Sequence, residues 1–446
     1  MSVVLINPHI SEETELGTSI YPVGLGYIAS ALQKNDIDVE IFDIFILKFS
    51  LDEVRNELLK RETSPDWFGI TGMVNGYKYI KNLSFLLKEI FPDTPVVLGG
   101  SITNYKPEII LNNTAVDVCC VGDGEDAAVE ITEAFRGKRD LSSVKGLVYR
   151  DSTGIKYTIP RDTEMDIDRF DFPSWDLFDM EAYFNQKGIL KTQRVMHLAG
   201  SRGCPFGCKF CSTSNKKIRR RSLLSVIKEI ELLKAKYGIT HFEFIDEFYI
   251  SSEKNLVDFS NEVIKRELGV TWWGLGRVNI INSWSEESIS LLKKSGCNWM
   301  GIGVESGSQF ILDRMNKGIS IEEAKLAIAK LRRHGIYAAC SFIIAYPGET
   351  METIRETIDF CKEQRFASLR LNILTPLPGS AVYDEALQQK YITNEEEYWE
   401  KIDSPFHEKL ILNMTELDDA VIMEMKRAGE AEVKAHYETI IKAGKG

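Results

Sequence analysis

The chain has 446 residues, which predicts two to four domains, and its 44% hydrophobic and 27% charged residues exclude a disordered or low-complexity protein. Its 54 basic and 66 acidic residues give a net charge of −12, which disfavours nucleic acid and anionic membranes as partners. No apolar run approaches the roughly twenty residues of a transmembrane helix. The amino terminus, MSVVLINPHI, lacks the basic start of a signal peptide. We therefore expect a cytoplasmic protein whose eight cysteines are thiols or metal ligands.

The first part of the chain, residues 1–136, alternates short apolar runs with helical stretches. Apolar runs separated by helices predict parallel strands buried on both faces, here in an α/β, doubly wound, Rossmann-like sheet. The predicted strands are 3–7, 38–43, 67–72, 95–100 and 116–122.

Ligands of doubly wound sheets bind beyond the carboxyl ends of the strands. Glycine at these positions lets the backbone approach a large ligand, but it also serves simple strand-to-helix turns, and no complete G-x-G-x-x-G fingerprint is present. The residues themselves leave both interpretations open. The candidate positions are Asn7, Thr71, Gly72, Met73, Gly99, Gly100, Ser101, Gly122 and Glu125.

Residues 137–193 are interpreted as a linker with a small hairpin at 146–159. Residues 194–384 then contain six strand-like runs with amphipathic helices between them, and residues 385–446 form a predicted helical extension. Eight such units would close a complete barrel, so six predict an open, partial (β/α)6 barrel whose site lies at the carboxyl ends of its strands. The six runs are 194–200, 241–246, 270–276, 298–306, 337–346 and 369–375.

Three cysteines, Cys204, Cys208 and Cys211, lie in the loop SRGCPFGCKFCST after the first barrel strand. Thiolates suit zinc or an iron–sulfur cluster. A structural zinc ion takes four protein ligands, and no fourth cysteine or nearby histidine completes the set. A four-iron cluster normally takes four cysteines, so three leave one iron open to a substrate or cofactor.

The C-x-x-x-C-x-x-C motif at the start of a sixfold β/α repeat resembles the radical S-adenosylmethionine (SAM) superfamily. The resemblance implies a 4Fe-4S cluster on the three cysteines, whose open iron chelates SAM and whose reduction cleaves SAM to a 5′-deoxyadenosyl radical. It also implies SAM contacts near the strand ends, at Asp246, Glu247, Arg277, Glu305, Ser306, Ser341 and Thr375. A buried hydroxyl bonded to backbone is an equal alternative for Ser341.

The amino-terminal sheet resembles the cobalamin-binding domain that precedes the barrel in one large branch of this superfamily. The resemblance depends on residues 21–32, on V-V-L-G-G at 96–100 and on V-G-D-G-E at 121–125. It implies cobalamin as a third cofactor, bound over the carboxyl edge of this sheet, and it extends over essentially the whole chain.

The two resemblances imply a cobalamin-dependent radical SAM enzyme that methylates an unactivated carbon or phosphorus centre of a small-molecule or lipid-like substrate. An electron donor such as flavodoxin or ferredoxin is the expected protein partner. Four alternatives remain open: a cyclase, ring-contraction or carbon-coupling enzyme with the same cofactors, a tRNA methylthiotransferase, an enzyme that modifies ribosomal peptides, and a non-catalytic iron–sulfur or cobalamin sensor. A methylthiotransferase would need a second cysteine set, whereas Cys119 and Cys120 are adjacent within a strand.

Overall fold

The computed structural model describes residues 2–9, 21–185, 193–213, 216–246, 248–364, 368–403 and 408–442. The chain forms two compact units. Unit 1 comprises Met1–Thr192 and Ile392–Pro405, and unit 2 comprises Gln193–Tyr391 and Phe406–Gly446. Part of the predicted carboxyl-terminal extension thus belongs to the amino-terminal unit. No helix in the described part of the chain is long and apolar enough to cross a membrane.

Unit 1 is built on a seven-stranded sheet of order β2-β1-β3-β4-β5-β6-β7. The first five strands are parallel, which confirms the doubly wound sheet. They are apolar because helices cover both faces, and β1 is buried along its whole length. The strands are β1 (Val3–Asn7), β2 (Val39–Asp43), β3 (Trp67–Thr71), β4 (Val96–Gly99), β5 (Val118–Cys120), β6 (Leu147–Asp151) and β7 (Gly154–Tyr157).

The predicted hairpin forms, but it is part of the sheet and not only of the linker. Strand β6 pairs antiparallel with β5, and β7 pairs antiparallel with β6. Leu147 and Val148 are buried because they continue the apolar surface of β5. The hairpin therefore covers what would otherwise be an unpaired edge of the parallel sheet.

Three helices of unit 1, which begin at Ile44, Leu51 and Met180, start with a side chain that binds a backbone amide of the first turn. Ser50 and Glu53 form a reciprocal capping box at the start of α3. The helices are α1 (Val23–Lys34), α2 (Ile44–Leu47), α3 (Leu51–Leu58), α4 (Tyr77–Ile90), α5 (Pro107–Asn113), α6 (Glu125–Phe135) and α7 (Met180–Phe184).

Unit 2 contains a six-stranded, all-parallel sheet of order β15-β14-β13-β12-β11-β8. Its two edge strands do not pair with each other, so the predicted open, partial barrel is confirmed. The strands are β8 (Val195–Leu198), β11 (His241–Phe244), β12 (Thr271–Gly276), β13 (Cys297–Glu305), β14 (Tyr337–Ile344) and β15 (Ser368–Ile373). A two-residue ladder of β9 (Ser201–Arg202) and β10 (Arg219–Arg220) flanks the cysteine-containing loop.

Helices follow these strands and cover one face of the sheet. On β13, Met300, Ile302 and Val304 are buried, so the intervening Gly301 and Gly303 lie on the opposite face. The helices are α8 (Leu223–Tyr237), α9 (Glu253–Lys265), α10 (Val278–Ser283), α11 (Glu286–Lys294), α12 (Gln309–Arg314), α13 (Ile321–Arg333), α14 (Met351–Glu363), α15 (Ala381–Gln388) and α17 (Asp419–Lys442).

The returning segment of unit 1, residues 392–405, contains helix α16 (Glu395–Lys401), which packs on α4. Trp399 is fully buried and meets the ring of Tyr77 edge-on at 5.5 Å. Lys81 bonds both Glu396 and Glu400, at 2.6 and 2.7 Å. An aromatic anchor and a cluster of charges therefore join distant parts of the sequence in one unit.

We predict that Trp399→Ala destabilises unit 1 by about 3–5 kcal/mol, because it opens a large cavity under α16. Urea unfolding should show the loss, and limited trypsin digestion should cut at Lys401 faster than in the wild type. Trp299→Ala is the control, because the Trp299 side chain is already 37% exposed. An unchanged unfolding midpoint for Trp399→Ala would contradict this assignment.

Candidate active site

The loop after β8 carries the three clustered cysteines at one end of the unit 2 sheet. Cys204, Cys208 and Cys211 are all half-buried and form no disulfide. The backbone turns tightly, because the Cys211 amide donates to the Cys208 carbonyl at 3.2 Å. We call residues 203–211 the cysteine loop.

The remaining five cysteines lie in the interior of the two units. Cys119, Cys120, Cys297, Cys340 and Cys361 are buried. Burial raises the pKa of each thiol, to about 12 for Cys120 and Cys297, because a thiolate would lose its hydration. These five are small core side chains, and the cysteine loop holds the thiols suited to ligation.

Within the described residues, no three His, Cys, Asp or Glu side chains stand together as ligands for a single metal ion. A four-iron cluster makes a different demand, since each thiolate binds a separate iron and the sulfurs stand farther apart. Three half-buried, unbridged thiols in one short loop fit that demand.

The cysteine loop is held in place through the backbone of Lys209. The Lys209 amide donates to the Met315 carbonyl at 2.9 Å, and its carbonyl accepts from the Val382 amide at 3.1 Å. Asn316 adds a side-chain hydrogen bond to the Gly207 carbonyl at 2.8 Å and has a left-handed φ of 52°. We call Met315–Lys317, which directly follows α12, the clamp segment.

Arg277 directly follows β12 and reaches the cysteine loop. Its guanidinium lies 3.8 Å from the centre of the Phe206 ring, and its Nη1 is 3.6 Å from the Cys208 sulfur. Its Nη2 donates to the carbonyl of Lys317 in the clamp segment. The residue predicted to contact SAM thus also contacts a predicted cluster ligand.

Glu305 ends β13 and forms a buried ion pair with Lys317 at 2.6 Å, with side-chain exposures of 9% and 8%. Glu305 has a φ of 77°, and the strand pairing slips between Gly303 and Glu305. A non-glycine residue in this region is strained, and such strain concentrates at functional sites. Lys317 also lies 5.8 Å from the centre of the Phe210 ring, so the ion pair adjoins the cysteine loop.

Asp246 follows β11 and fixes the start of the cysteine-containing loop. It accepts hydrogen bonds from the Gly200 amide at 2.8 Å and the Ser201 hydroxyl at 2.5 Å. Loss of hydration raises the pKa of Asp246 to about 6, and these hydrogen bonds limit the rise. Glu247, the second predicted acid here, lies outside the described residues.

The three predicted hydroxyl contacts differ in their surroundings. Ser306 is fully buried, and its hydroxyl is bonded to Thr357 and to the Ser308 amide. Ser341 pairs with Gly303 across the sheet, and a Cβ on Gly303 would touch the Glu305 carboxylate. Thr375 is only 5% exposed, and its hydroxyl has no hydrogen-bond partner among the described residues.

Four buried polar atoms that lack a described partner lie just beyond the carboxyl ends of the unit 2 strands. Buried polar groups in native proteins are nearly always hydrogen-bonded, so such a group of exceptions indicates the place of a polar ligand. A ligand with amino, carboxylate and hydroxyl groups, such as SAM, fits this donor and acceptor set. The atoms are Arg277 Nε, Asn279 Oδ1, Glu349 Oε1 and Thr375 Oγ1.

Sequence reasoning did not identify Lys317, Asn279 or Glu349. Glu349 follows β14 and accepts from the Tyr346 amide at 3.1 Å. Burial raises the pKa of Glu349 to about 8. A sequence signal existed for Asn279, in R-V-N at 277–279, whereas Lys317 lies in an exposed-looking polar turn.

In unit 1, the predicted glycines at the carboxyl edge of the sheet are of two kinds. Gly100 has a φ of 90°, and a Cβ there would lie 2.4 Å from the Gly72 carbonyl oxygen. A Cβ on Gly99 would meet nothing within 4 Å, and the same holds for Gly122. Gly100 and Gly72 thus build the turn, whereas Gly99 and Gly122 border open space that a ligand can fill.

The surroundings of this open space fit a large organic group with polar substituents. Thr71 ends β3, and Met73 beyond it is 55% exposed. The Asn75 side-chain oxygen is buried without a partner among the described residues. Ser101 is exposed after β4, and these features together fit cobalamin.

The other predicted positions at this edge have structural roles. Asn7 donates to the Asp43 carboxylate at 2.8 Å, and Tyr183 donates to the same carboxylate at 2.5 Å. Burial raises the pKa of Asp43, and these two hydrogen bonds oppose the rise. Glu125 is buried at the start of α6.

Comparison with known proteins assigns both units. The model of the Radical SAM superfamily matches residues 198–361, and the model of the B12 binding domain matches residues 14–132. The chain is 30% identical over 396 residues to an uncharacterised methyltransferase of Pyrococcus horikoshii, covering 87% of this chain and 83% of that protein.

Two further relatives catalyse different reactions according to their names. The chain is 28% identical to cytidylyl-2-hydroxyethylphosphonate methyltransferase of Streptomyces wedmorensis, over 88% of this chain and 83% of that protein. It is 29% identical to anaerobic magnesium-protoporphyrin IX monomethyl ester cyclase of Rubrivivax gelatinosus, over 96% and 77% of the two chains.

The fold has a solved counterpart. The radical SAM methyltransferase TsrM of Kitasatospora setae, solved with cobalamin and a [4Fe-4S] cluster bound, superposes with a TM-score of 0.70 and 20% identity, covering 87% of this chain and 75% of that one. From the two matched domain models and the full-length relative, this chain belongs to the radical SAM superfamily, in the branch with an amino-terminal cobalamin-binding domain.

Proposed function

We propose that the protein is a cobalamin-dependent radical SAM methyltransferase acting on an unactivated carbon or phosphorus centre of a small-molecule or lipid-like substrate. The main support is the group of unpartnered buried polar atoms at the strand ends, beside a loop of three unbridged cysteines. The same chain also carries the B12 binding domain. A sensor would not need this arrangement for SAM.

When bound, the cluster and SAM supply a carbon radical, and cobalamin supplies the methyl group. The chain's own residues position these groups. Cys204, Cys208 and Cys211 would ligate the cluster. Arg277 Nε and Thr375 Oγ1 offer hydrogen bonds to SAM, and the ion-paired Glu305 offers its carboxylate to the ribose or amino group.

Methyl transfer can be separated from other radical chemistry without knowing the substrate. A methyltransferase consumes SAM as a methyl donor and releases S-adenosylhomocysteine, whereas a cyclase or ring-contraction enzyme forms 5′-deoxyadenosine without it. The anaerobic protein, reconstituted with its cluster and given methyl-labelled SAM and dithionite, should release S-adenosylhomocysteine only when cobalamin is added. Cobalamin-dependent 5′-deoxyadenosine without S-adenosylhomocysteine would favour the cyclase alternative, which the Rubrivivax relative supports.

Reduction of the cluster requires an electron donor, and the charges around the cysteine loop favour an acidic one. Lys209, Lys216 and Lys217 are exposed on or just after this loop, in a chain of net charge −12. Lys216 is anchored on the loop by its hydrogen bond to the Phe206 carbonyl at 3.0 Å. An acidic flavodoxin or ferredoxin in a reducing cytoplasm fits this basic surface.

Replacing any of Cys204, Cys208 and Cys211 by Ala should abolish cluster assembly. The reconstituted wild type should contain about four irons and four sulfides per chain, with the absorption of a four-iron cluster. Cys361→Ala is the control, because its buried thiol lies outside the loop. Stoichiometric zinc without sulfide in the wild type would contradict the assignment.

Thr375→Val should weaken SAM binding about two- to tenfold, because it removes one hydrogen-bonding hydroxyl of the ligand site. The stability of the SAM-free protein should not fall, since this hydroxyl has no described partner to lose. Thr132→Val is the matched control. Its buried hydroxyl, in unit 1, accepts from the Trp67 indole at 3.0 Å, so that variant should lose stability and keep its SAM affinity. Equal SAM affinities for Thr375→Val and wild type, by equilibrium titration, would remove Thr375 from the site.

Gly99→Leu should abolish cobalamin binding while cluster content and SAM cleavage persist. The new side chain enters open space at the end of β4, and the backbone there does not require glycine. Gly24→Leu is the control, because Gly24 is exposed on α1 with nothing within 4 Å of an added Cβ. Cobalamin uptake, read from its visible absorption after gel filtration, should fail only in Gly99→Leu. Normal uptake there would place the ligand elsewhere.

A further inference from the structure

We propose that Arg277 sets the reduction potential of the cluster. It acts as a positioning residue, through a charged hydrogen bond from its guanidinium to the Cys208 sulfur. This inference rests on the proposed function only in requiring that the three cysteines carry the cluster. It differs from a role in holding SAM, because the atoms involved are Nη1 and the sulfur.

Three contacts fix the direction of the guanidinium. The Phe206 ring supports one face at 3.8 Å, and the Lys317 carbonyl holds Nη2. These two contacts direct Nη1 to the Cys208 sulfur at 3.6 Å. A planar, stacked guanidinium has little freedom to turn away, and a lysine ammonium would not reproduce this geometry.

The Lys317 carbonyl, which holds Arg277, belongs to the clamp segment that also holds the cysteine loop. Lys317 is the last residue of the clamp segment, whose Met315 carbonyl binds the Lys209 amide. The same Lys317 side chain is fixed by Glu305 at 2.6 Å. Arg277 is therefore held by the same segment that holds the cysteine loop.

A cation hydrogen-bonded to a ligating sulfur stabilises the more negative, reduced form of a cluster over the oxidised form. Hydrogen bonds to the sulfurs and local charge are among the factors that set iron–sulfur potentials. Arg277 should therefore raise the potential and make reduction by a physiological donor easier.

The test uses anaerobically reconstituted full-length protein without SAM or cobalamin, in a redox titration followed by electron paramagnetic resonance of the reduced cluster. Arg277→Gln should keep its iron and sulfide but show a more negative midpoint potential. At a fixed potential, its ratio of reduced to oxidised cluster should fall about ten- to a hundredfold. Arg277→Lys, which keeps the charge without the stacked geometry, should lie between Gln and wild type.

Arg314→Gln is the matched control. Arg314 lies 5.7 Å from the centre of the Phe310 ring and donates to the Pro347 carbonyl at 2.8 Å, so its hydrogen bond goes to a carbonyl and not to a cysteine. The cluster of the Arg314→Gln variant should have the same midpoint reduction potential as the wild type. A wild-type potential in Arg277→Gln with full iron content would overturn the proposal.

A measurement on the wild type keeps the proposal testable if Arg277→Gln fails to assemble its cluster. In protein grown with arginine labelled with 15N in the guanidinium group, the reduced cluster should show a 15N coupling by pulsed electron paramagnetic resonance. Its absence would also overturn the proposal. A wild type that forms no cluster at all would instead refute the proposed function.

Discussion

The ion pair between Glu305 and Lys317 connects the parts of the barrel on which the site depends. It joins the strained end of β13 to the clamp segment, which holds the cysteine loop and Arg277. Burying two charges costs hydration, and only close pairing offsets that cost. Removing one partner of a buried ion pair typically lowers folding stability by about 3–5 kcal/mol, because the other charge stays buried without a partner. Such a loss would disrupt the contact between the end of β13 and the clamp segment. The backbone strain at Glu305 can persist because Lys317 holds its side chain.

The edge of unit 1 follows a different principle, in which backbone and space matter more than charge. The backbone of Gly72 lies so close to Gly100 that Gly100 accepts no side chain, and this contact fixes the turn after β4. That fixed turn leaves Gly99 facing open space. The strand ends of unit 2 thus carry buried polar atoms without a described partner, whereas the strand ends of unit 1 carry glycines beside open space.

The strands and the order of domains were predictable because parallel strands buried on both faces appear in the sequence as apolar runs. The cysteine loop was predictable because its three cysteines are local in sequence. Lys317 was not, because its importance comes from Glu305 and Arg277, whose proximity only the fold creates. Likewise, the sequence does not distinguish Gly99 from Gly100. Only the packing of Gly72 against Gly100 shows that Gly100 is a turn residue and that Gly99 lies beside open space. The pairing of β6 with β5 escaped prediction because a polar hairpin can lie free or complete a sheet.

The return of residues 392–405 to unit 1 has a consequence for the order in which the protein is made. A ribosome completes all of β1–β7 before it reaches α16, so α4 emerges without the helix that covers it. Until Trp399 arrives, the ring of Tyr77 lacks its aromatic partner, and Lys81 lacks Glu396 and Glu400. Domains generally fold as units while synthesis proceeds, and incompletely covered apolar surface favours aggregation. In this chain, the first unit to be synthesised can be finished only after the barrel strands have been translated, which makes translation through residue 405 a condition for the mature packing of unit 1.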